Sequence, residues 1–146
     1  MNCPACSHPL TQIEIGSLCV DICRGGCGGI WFDTFELQQV DEPEEYVGEA
    51  LVHVPRDPNV RVDPSRRKEC PRCTQMKLKR RLYSPQIAIE VDECPACGGF
   101  WLDGGELEHI RLEKGRLEKA AKQPAGMTPE MIRALYRMRT AHRDRL

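Results

Sequence analysis

The residues best able to do chemistry in this 146-residue chain are its nine cysteines, eight of which fall into four short hooks. Cys70-Pro71-Arg72-Cys73 and Cys94-Pro95-Ala96-Cys97 each hold two sulfurs three positions apart, and 20 residues separate the hooks. A tight turn presents both sulfurs of a hook to one ion, and four thiolates at about 2.3 Å satisfy tetrahedral zinc. Cys70, Cys73, Cys94 and Cys97 are therefore expected to build one closed zinc site. Cys3, Cys6, Cys23 and Cys27 form the corresponding second site, although its hook Cys23-Arg24-Gly25-Gly26-Cys27 is one residue longer. The glycines can absorb that insertion. Cys19 is the odd thiol, and it or His8 could substitute as a ligand of this site. Otherwise Cys19 is a free thiol beside Asp21, with no flanking cation to lower its pKa.

Zinc competes with a redox dithiol, a disulfide network and rubredoxin-like iron. A redox motif wants one hook in a βαβ setting, and an odd cysteine count suits a disulfide set poorly. The N-terminus shows no charged and apolar leader, and no apolar run approaches the roughly 18 residues of a membrane span. The reading is a cytoplasmic chain in a reducing compartment, where clustered cysteines hold metal. Four protein sulfurs leave no coordination position for water or substrate, so catalysis at the metal is not expected. No Ser-His-Asp set, phosphate-cradling loop or paired-carboxylate site stands out. His8, His53, His109 and His142 lack paired ligand spacing.

The hooks belong to an internal repeat. Cys27-Gly28-Gly29-Ile30-Trp31-Phe32-Asp33-Thr34-Phe35-Glu36-Leu37 matches Cys97-Gly98-Gly99-Phe100-Trp101-Leu102-Asp103-Gly104-Gly105-Glu106-Leu107 at seven of eleven positions. Each unit reads as two hooks joined by a β-hairpin and followed by a helix. In the first, Ile13 and Ile15, a Gly16-Ser17 turn, then Leu18, Val20 and Ile22 alternate with polar residues. In the second, Leu78 and Leu82 face away from Lys77, Lys79, Arg81 and Tyr83; Ser84-Pro85 turns the chain, and Ile87, Ile89 and Val91 return. Asp33 and Asp103 each precede a Glu by three residues, the capping-box spacing, so both are expected to start helices. The first is cut short by Pro43. The second runs through Leu107, Ile110, Leu117 and Ala121, supported by Glu108 with Arg111.

These units resemble the bacterial transcription factor IIB-type zinc-ribbon family. The second matches its pattern at Cys70, Cys73, Cys94, Cys97, Gly98, Gly99, Trp101, Asp103, Glu106 and Leu107. The first matches at Cys3, Cys6, Cys27, Gly28, Gly29, Trp31, Asp33, Glu36 and Leu37, and departs at the Cys23 hook. The resemblance implies a zinc ribbon and, through the family's name, transcription, with no enzyme activity. The expected fold class is small metal-stabilised α+β, two zinc ribbons with additional C-terminal helices. The expected organisation is an acidic ribbon (1–42), a helix and proline-containing linker (43–66), a ribbon with basic hairpin and extended helix (67–123), and a basic amphipathic helix (124–146). Thr128-Pro129 starts that last helix. Met131, Leu135 and Met138 give it an apolar stripe, with Arg133, Arg137, Arg139, Arg143 and Arg145 on its other face. Helical spacing of Tyr46, Val47, Ala50, Leu51 and Val54 predicts an earlier amphipathic helix.

Net charge is -1, which by itself indicates neither a nucleic-acid nor a membrane partner. Its distribution says more: residues 1–65 carry -8, residues 66–81 carry +7, and the remainder is balanced. Arg72, Lys77, Lys79, Arg80, Arg81 and Tyr83, flanked by Arg66, Arg67 and Lys68, make a candidate nucleic-acid surface. The competing reading is a strand face whose cations pair with Glu90 and Asp92 across the hairpin, or a basic unit docked on the acidic one. Trp31 and Trp101 are expected in the core beside the hooks. The expected function is a zinc-binding interaction module contacting a nucleic-acid-associated machine. The alternative is a protein adaptor or self-associating protein, using the acidic ribbon and the C-terminal helix.

Overall fold

A computed structural model describes residues 1–122 and 126–143, the last five as backbone only. The side chains of Arg139, His142 and Arg143, all of Arg145, and the expected boundary at 123/124 lie outside the described residues. The chain divides into a compact unit Met1–Gly115 and a unit Arg116–Leu146.

The first unit is organised by one six-stranded antiparallel sheet. Its strands are β1 (Thr11–Ile15), β2 (Leu18–Ile22), β3 (Ile30–Phe32), β4 (Lys79–Leu82), β5 (Glu90–Glu93) and β6 (Phe100–Leu102), in the order β1-β2-β3-β6-β5-β4. The first hairpin forms in the register its alternation predicts, with Ile13 opposite Val20 and Ile15 opposite Leu18. Each repeat contributes three strands, and the two halves join where β3 pairs β6. There Trp31 stands opposite Trp101, Ile30 opposite Leu102 and Phe32 opposite Phe100. Because Ile30 and Phe100 are equivalent in the repeat, as are Phe32 and Leu102, the seam has approximate two-fold symmetry about the tryptophan pair.

Side chains alternate across the sheet and separate two cores. On one face Leu18, Val20, Ile22, Ile30, Phe32, Val91, Phe100 and Leu102 pack against Leu37, Val40, Leu51, Leu107 and Ile110. Those last five come from a short 3-10 turn (Leu37–Gln39) and its end, helix α1 (Tyr46–Val52) and helix α2 (Glu106–Ala121). The other face packs Trp31, Trp101 and Leu78 against cysteines of both hook sets. Both tryptophans are fully buried, as expected.

The reason the two halves close so tightly is the glycine after each second hook. A Cβ on Gly29 would meet the Trp101 ring, and one on Gly99 would meet the Trp31 ring, each well under 3.0 Å. Each tryptophan thus lies over the other repeat's glycine, where no side chain fits.

Several local expectations are corrected. Leu78 is buried, but Leu82 is half in solvent, since it shares a face with Arg80 beyond the edge of the packed hooks. Tyr83 packs on the helical core side instead. Arg111 does not pair with Glu108. It is buried beneath α1, where its guanidinium donates to the carbonyls of Val40 (2.7 Å), Glu45 (2.8 Å) and Pro43 (3.2 Å) and meets the carboxylates of Glu45 and Glu49. It ties the chain after the first ribbon to α2. Tyr46, expected on the apolar face of α1, points outward, while Glu45 caps that helix by accepting from the Gly48 amide. Asp33 and Asp103 do not begin helices: the helical turns start at Leu37 and Glu106. Only half the capping box forms, the Glu36 and Glu106 carboxylates each accepting from the aspartate amide at 2.7 Å.

In the second unit, α3 spans Pro129–Arg143, and Thr128 caps it by accepting from the Met131 amide at 3.2 Å. No helix among the described residues is long and apolar enough to cross a membrane.

The seam predicts an asymmetric response to adding a methyl. Gly99→Ala should destabilise zinc-loaded protein by about 1–3 kcal/mol through overpacking. Gly115→Ala, where the added carbon makes ordinary contact with Pro43, should be neutral or stabilising by helix propensity. Denaturant midpoints of the two variants check both.

Candidate metal centres

The hairpins and the turns after them bring eight cysteines into two groups, Cys3, Cys6, Cys23, Cys27 and Cys70, Cys73, Cys94, Cys97. Within each group the sulfurs all lie within 4.8 Å of one another. All nine cysteines are free thiols. The Sγ separations are 3.5 Å for Cys3 and Cys27, 3.4 Å for Cys6 and Cys23, and 3.8 Å for Cys70 and Cys97. A tetrahedron with metal–sulfur bonds of about 2.3 Å has edges of about 3.8 Å, so both groups fit zinc. Backbone amides add N–H donors to sulfur: Ala5 and Cys6 to Cys3 at 3.4 Å, Cys73 to Cys70 at 3.2 Å and Cys97 to Cys94 at 3.5 Å. Such donors favour the thiolate form that metal requires.

The longer hook of the first site is absorbed by its glycines. Gly25 adopts a left-handed φ of 71°, and a Cβ on Gly26 would fall well under 3.0 Å from the Cys23 sulfur. The chain after α1 closes over this hook, with the Gly25 amide donating to the Pro55 carbonyl and the Asp57 amide to the Gly26 carbonyl. Cys19 sits on β2 opposite Glu14 and outside both groups, as does His8, which settles the ligand set. Burial raises the Cys19 thiol, and the nearby carboxylates of Glu14 and Asp21 add to this. Burial also pushes Cys23 up to about 11 and Cys70 to about 12, while the hydrogen bond with Cys3 lowers Cys27 to about 6; a dication is the charge that lets all four thiols of a group ionise together.

Around the sites, each tryptophan is fixed by an aspartate and each aspartate by a cation. The Trp31 indole N–H donates to Asp33 at 3.0 Å, and that of Trp101 to Asp103 at 2.8 Å. Arg72 grips Asp33 with two bonds of 2.7 Å and reaches Asp21 at 3.2 Å. Lys68, almost fully buried, bonds Asp92 at 2.8 Å and Asp103 at 3.2 Å. Desolvation opposes its charge, but the two carboxylates outweigh that and hold its pKa above the ordinary value. Sequence reasoning assigned both cations to an outward basic patch. The signal that both would be held by carboxylates, Lys68 in the interior and Arg72 at the surface, was the aspartate pair repeated in each unit, Asp21 with Asp33 and Asp92 with Asp103.

Most of the remaining hairpin cations are also engaged. Lys77 pairs with Glu69, Arg80 with Asp92 (3.5 Å) and Glu90 (3.9 Å), and Arg81 with Glu93, its guanidinium lying 5.1 Å from the Phe100 ring centroid. Tyr83 donates its hydroxyl proton to Asp41, which also meets Lys114 at 3.0 Å. Lys79 is exposed opposite Glu93 and makes no ion pair within 4.0 Å among the described residues.

Metal analysis should give two zinc per chain, unchanged in Cys19→Ser and reduced to one in Gly26→Ala; a chelator should abolish cooperative melting, because structural zinc supplies on the order of 10 kcal/mol per site of folding energy. The second site, whose Cys97 is exposed, should release its metal to the chelator first. Glu106 is pushed up to about 7 by burial first and Asp103 second. The folded state therefore holds more protons than the unfolded one between about pH 4.5 and 7, and stability falls as pH rises through that window. Glu106→Gln, which keeps the acceptor for the Asp103 amide, should flatten the decline and stabilise the protein at pH 8 by about 1–2 kcal/mol, allowing for partial exposure. Denaturation across pH reads this directly.

No curated protein matches the chain. No solved structure matches it either. A family model described as a transcription factor zinc-finger, of the transcription factor IIB zinc-ribbon type, matches residues 2–42 and 69–113, well over half of the chain. The matched segments begin just before the first hook of each site and end past the 3-10 turn in the first ribbon and within α2 in the second. With both four-cysteine groups assembled inside them, the chain belongs to the transcription factor IIB-type zinc-ribbon family as a tandem pair of ribbons.

Proposed function

We propose that this protein is a non-catalytic interaction module that works by docking protein surfaces, with two zinc-built ribbons as its frame. The observation that carries the reading is where charge and apolar surface are left over. The hairpin cations expected to meet phosphate are mostly occupied by carboxylates of the same unit. By contrast, large apolar side chains on α1 and α3 stand in solvent, among them Tyr46, Met131 and Met138. Scattered single exposures need no explanation, but a stripe along a helix face suits a protein partner.

A second reading is favoured by a specific feature. Arg61, Arg66, Arg67 and Lys79 are exposed without an ion pair among the described residues, and phosphate contact through them suits a transcription role.

The two readings part in a salt series. Zinc-loaded protein is titrated into labelled single- and double-stranded DNA and RNA, beside an Arg61→Glu, Arg66→Glu, Arg67→Glu, Lys79→Glu variant. The protein-docking reading expects only weak binding at physiological salt, within the non-specific range of about 1 μM or weaker, and little difference in the variant. Tighter binding that falls steeply with salt and is lost in the variant would establish the phosphate reading instead.

A further inference from the structure

The two repeats differ in what lies over their second hooks. Over the first ribbon's hook the chain lays its own linker, with the Gly25 amide donating to the Pro55 carbonyl at 2.8 Å and the Asp57 amide to the Gly26 carbonyl at 2.9 Å. The Arg56 side chain fills the space left by Gly28 and Gly104, where a Cβ would stand 3.0 Å and 3.2 Å from it, and Val54 and Arg56 line one cleft with Gly28, Gly104 and Gly105. The second ribbon's hook has no such cover: Pro95, Ala96 and Cys97 are all exposed, and among the described residues no main-chain bond from another segment reaches Pro95 or Ala96. At the repeat positions of Gly104 and Gly105 the first ribbon carries Thr34 and Phe35. Thr34 donates its hydroxyl proton to the Cys97 carbonyl, which sets Phe35 beside the bare hook. The Phe35 ring is 74 % exposed on a left-handed backbone of φ 71°. Among the non-glycine residues with positive φ, Ser7, Phe35 and Gln75, it is the one with a bulky apolar side chain, for which that conformation is a true outlier. A ring so exposed gains little packing that would offset the strain, and strain of this kind gathers where a surface makes contacts of its own.

We infer that Phe35 and the exposed hook Pro95-Ala96-Cys97 form a docking platform for an extended, proline-containing segment of another protein. This rests on the protein-docking reading and names the chemistry of its partner. The occupant is argued from the other repeat, where the corresponding surface is covered by the extended segment Val54-Pro55-Arg56-Asp57-Pro58 of the chain itself. Thr34 fills the space that Gly104 leaves to Arg56, so a segment over the second hook lies further out, against the Phe35 ring. Pro95 has no N–H and the Ala96 amide is spent on the Cys94 sulfur, so the main-chain donation that Gly25 makes to Pro55 has no counterpart here. A polyproline-type segment suits that surface. Its backbone stays solvated, its pre-set conformation loses little entropy on binding, and its rings pack on an aromatic side chain.

The test is selection from a displayed random dodecapeptide library on zinc-loaded full-length protein, with counter-selection on Phe35→Gly. That variant should keep two zinc and hold or raise the denaturant midpoint, because glycine accepts the left-handed backbone without strain. The expected result is enrichment of peptides with proline flanked by apolar residues. Synthetic copies of them should lose affinity by about tenfold or more in Phe35→Gly and in Ala96→Arg, the loss of one anchoring contact. At saturation they should also slow the release of zinc from the second site to a chelator, since they cover Cys97, and leave the first site's release unchanged. No enrichment over the input library, enriched peptides without proline, binding that survives both substitutions, or a midpoint that falls in Phe35→Gly overturns the inference. In that case weak nucleic-acid binding in the salt series would leave the protein-docking reading standing with a different surface, whereas tight binding there would remove both.

Discussion

Everything in the first unit depends on how two tryptophans and two glycines share the seam between the ribbons. Trp31 and Trp101 face each other across β3 and β6, and each ring occupies the space a side chain would take at the glycine of the opposite repeat. Their backbones therefore approach closely enough for a six-stranded sheet, where each ribbon alone has three strands. A three-stranded ribbon of about 40 residues buries too little surface to persist unaided. Joining the two doubles the apolar face on which Leu37, Val40, Leu51, Leu107 and Ile110 pack, and zinc fixes the turns that feed each end of the seam.

The same seam links the metal centres to the cores. Each tryptophan is buried against cysteines of the hook sets and is hydrogen-bonded through its indole to an aspartate two residues on. That aspartate is in turn held by a cation. The metal sites, the tryptophans and the carboxylates form a continuous layer on one sheet face, and the helices cover the other. This division explains why the chain carries so few aromatic residues: sulfur and metal replace core volume on one side.

Much of this was legible in the sequence because its carriers are local. Hook spacing gave the sulfur groups, strict alternation from Ile13 to Ile22 gave the first hairpin and its register, and Thr128-Pro129 gave the start of α3. What was not legible depends on residues far apart. Nothing near Arg111 indicates that its guanidinium will collect carbonyls from positions 40, 43 and 45. The carboxylates of Asp33 and Asp103 matched a helix cap by spacing, but a buried indole N–H two residues upstream was the more demanding donor. The second hairpin misled because Leu78 and Leu82 share a face, yet only the part of that face beneath the hooks is covered.

The cations in the two aspartate triads come from one ribbon only. Arg72 and Lys68 both flank Cys70, and the matching positions around Cys3 are Ala5 and Met1. The repeat is thus symmetric in backbone and lopsided in charge. A chain assembled from two copies of the first ribbon would face four carboxylates with no counter-ion, and one from two copies of the second would set two of these cations against each aspartate pair, where the native protein has one. Duplication has passed into specialisation: neither half can replace the other, and sequence drift at Lys68 or Arg72 is constrained by aspartates that lie, in Arg72's case, in the opposite ribbon.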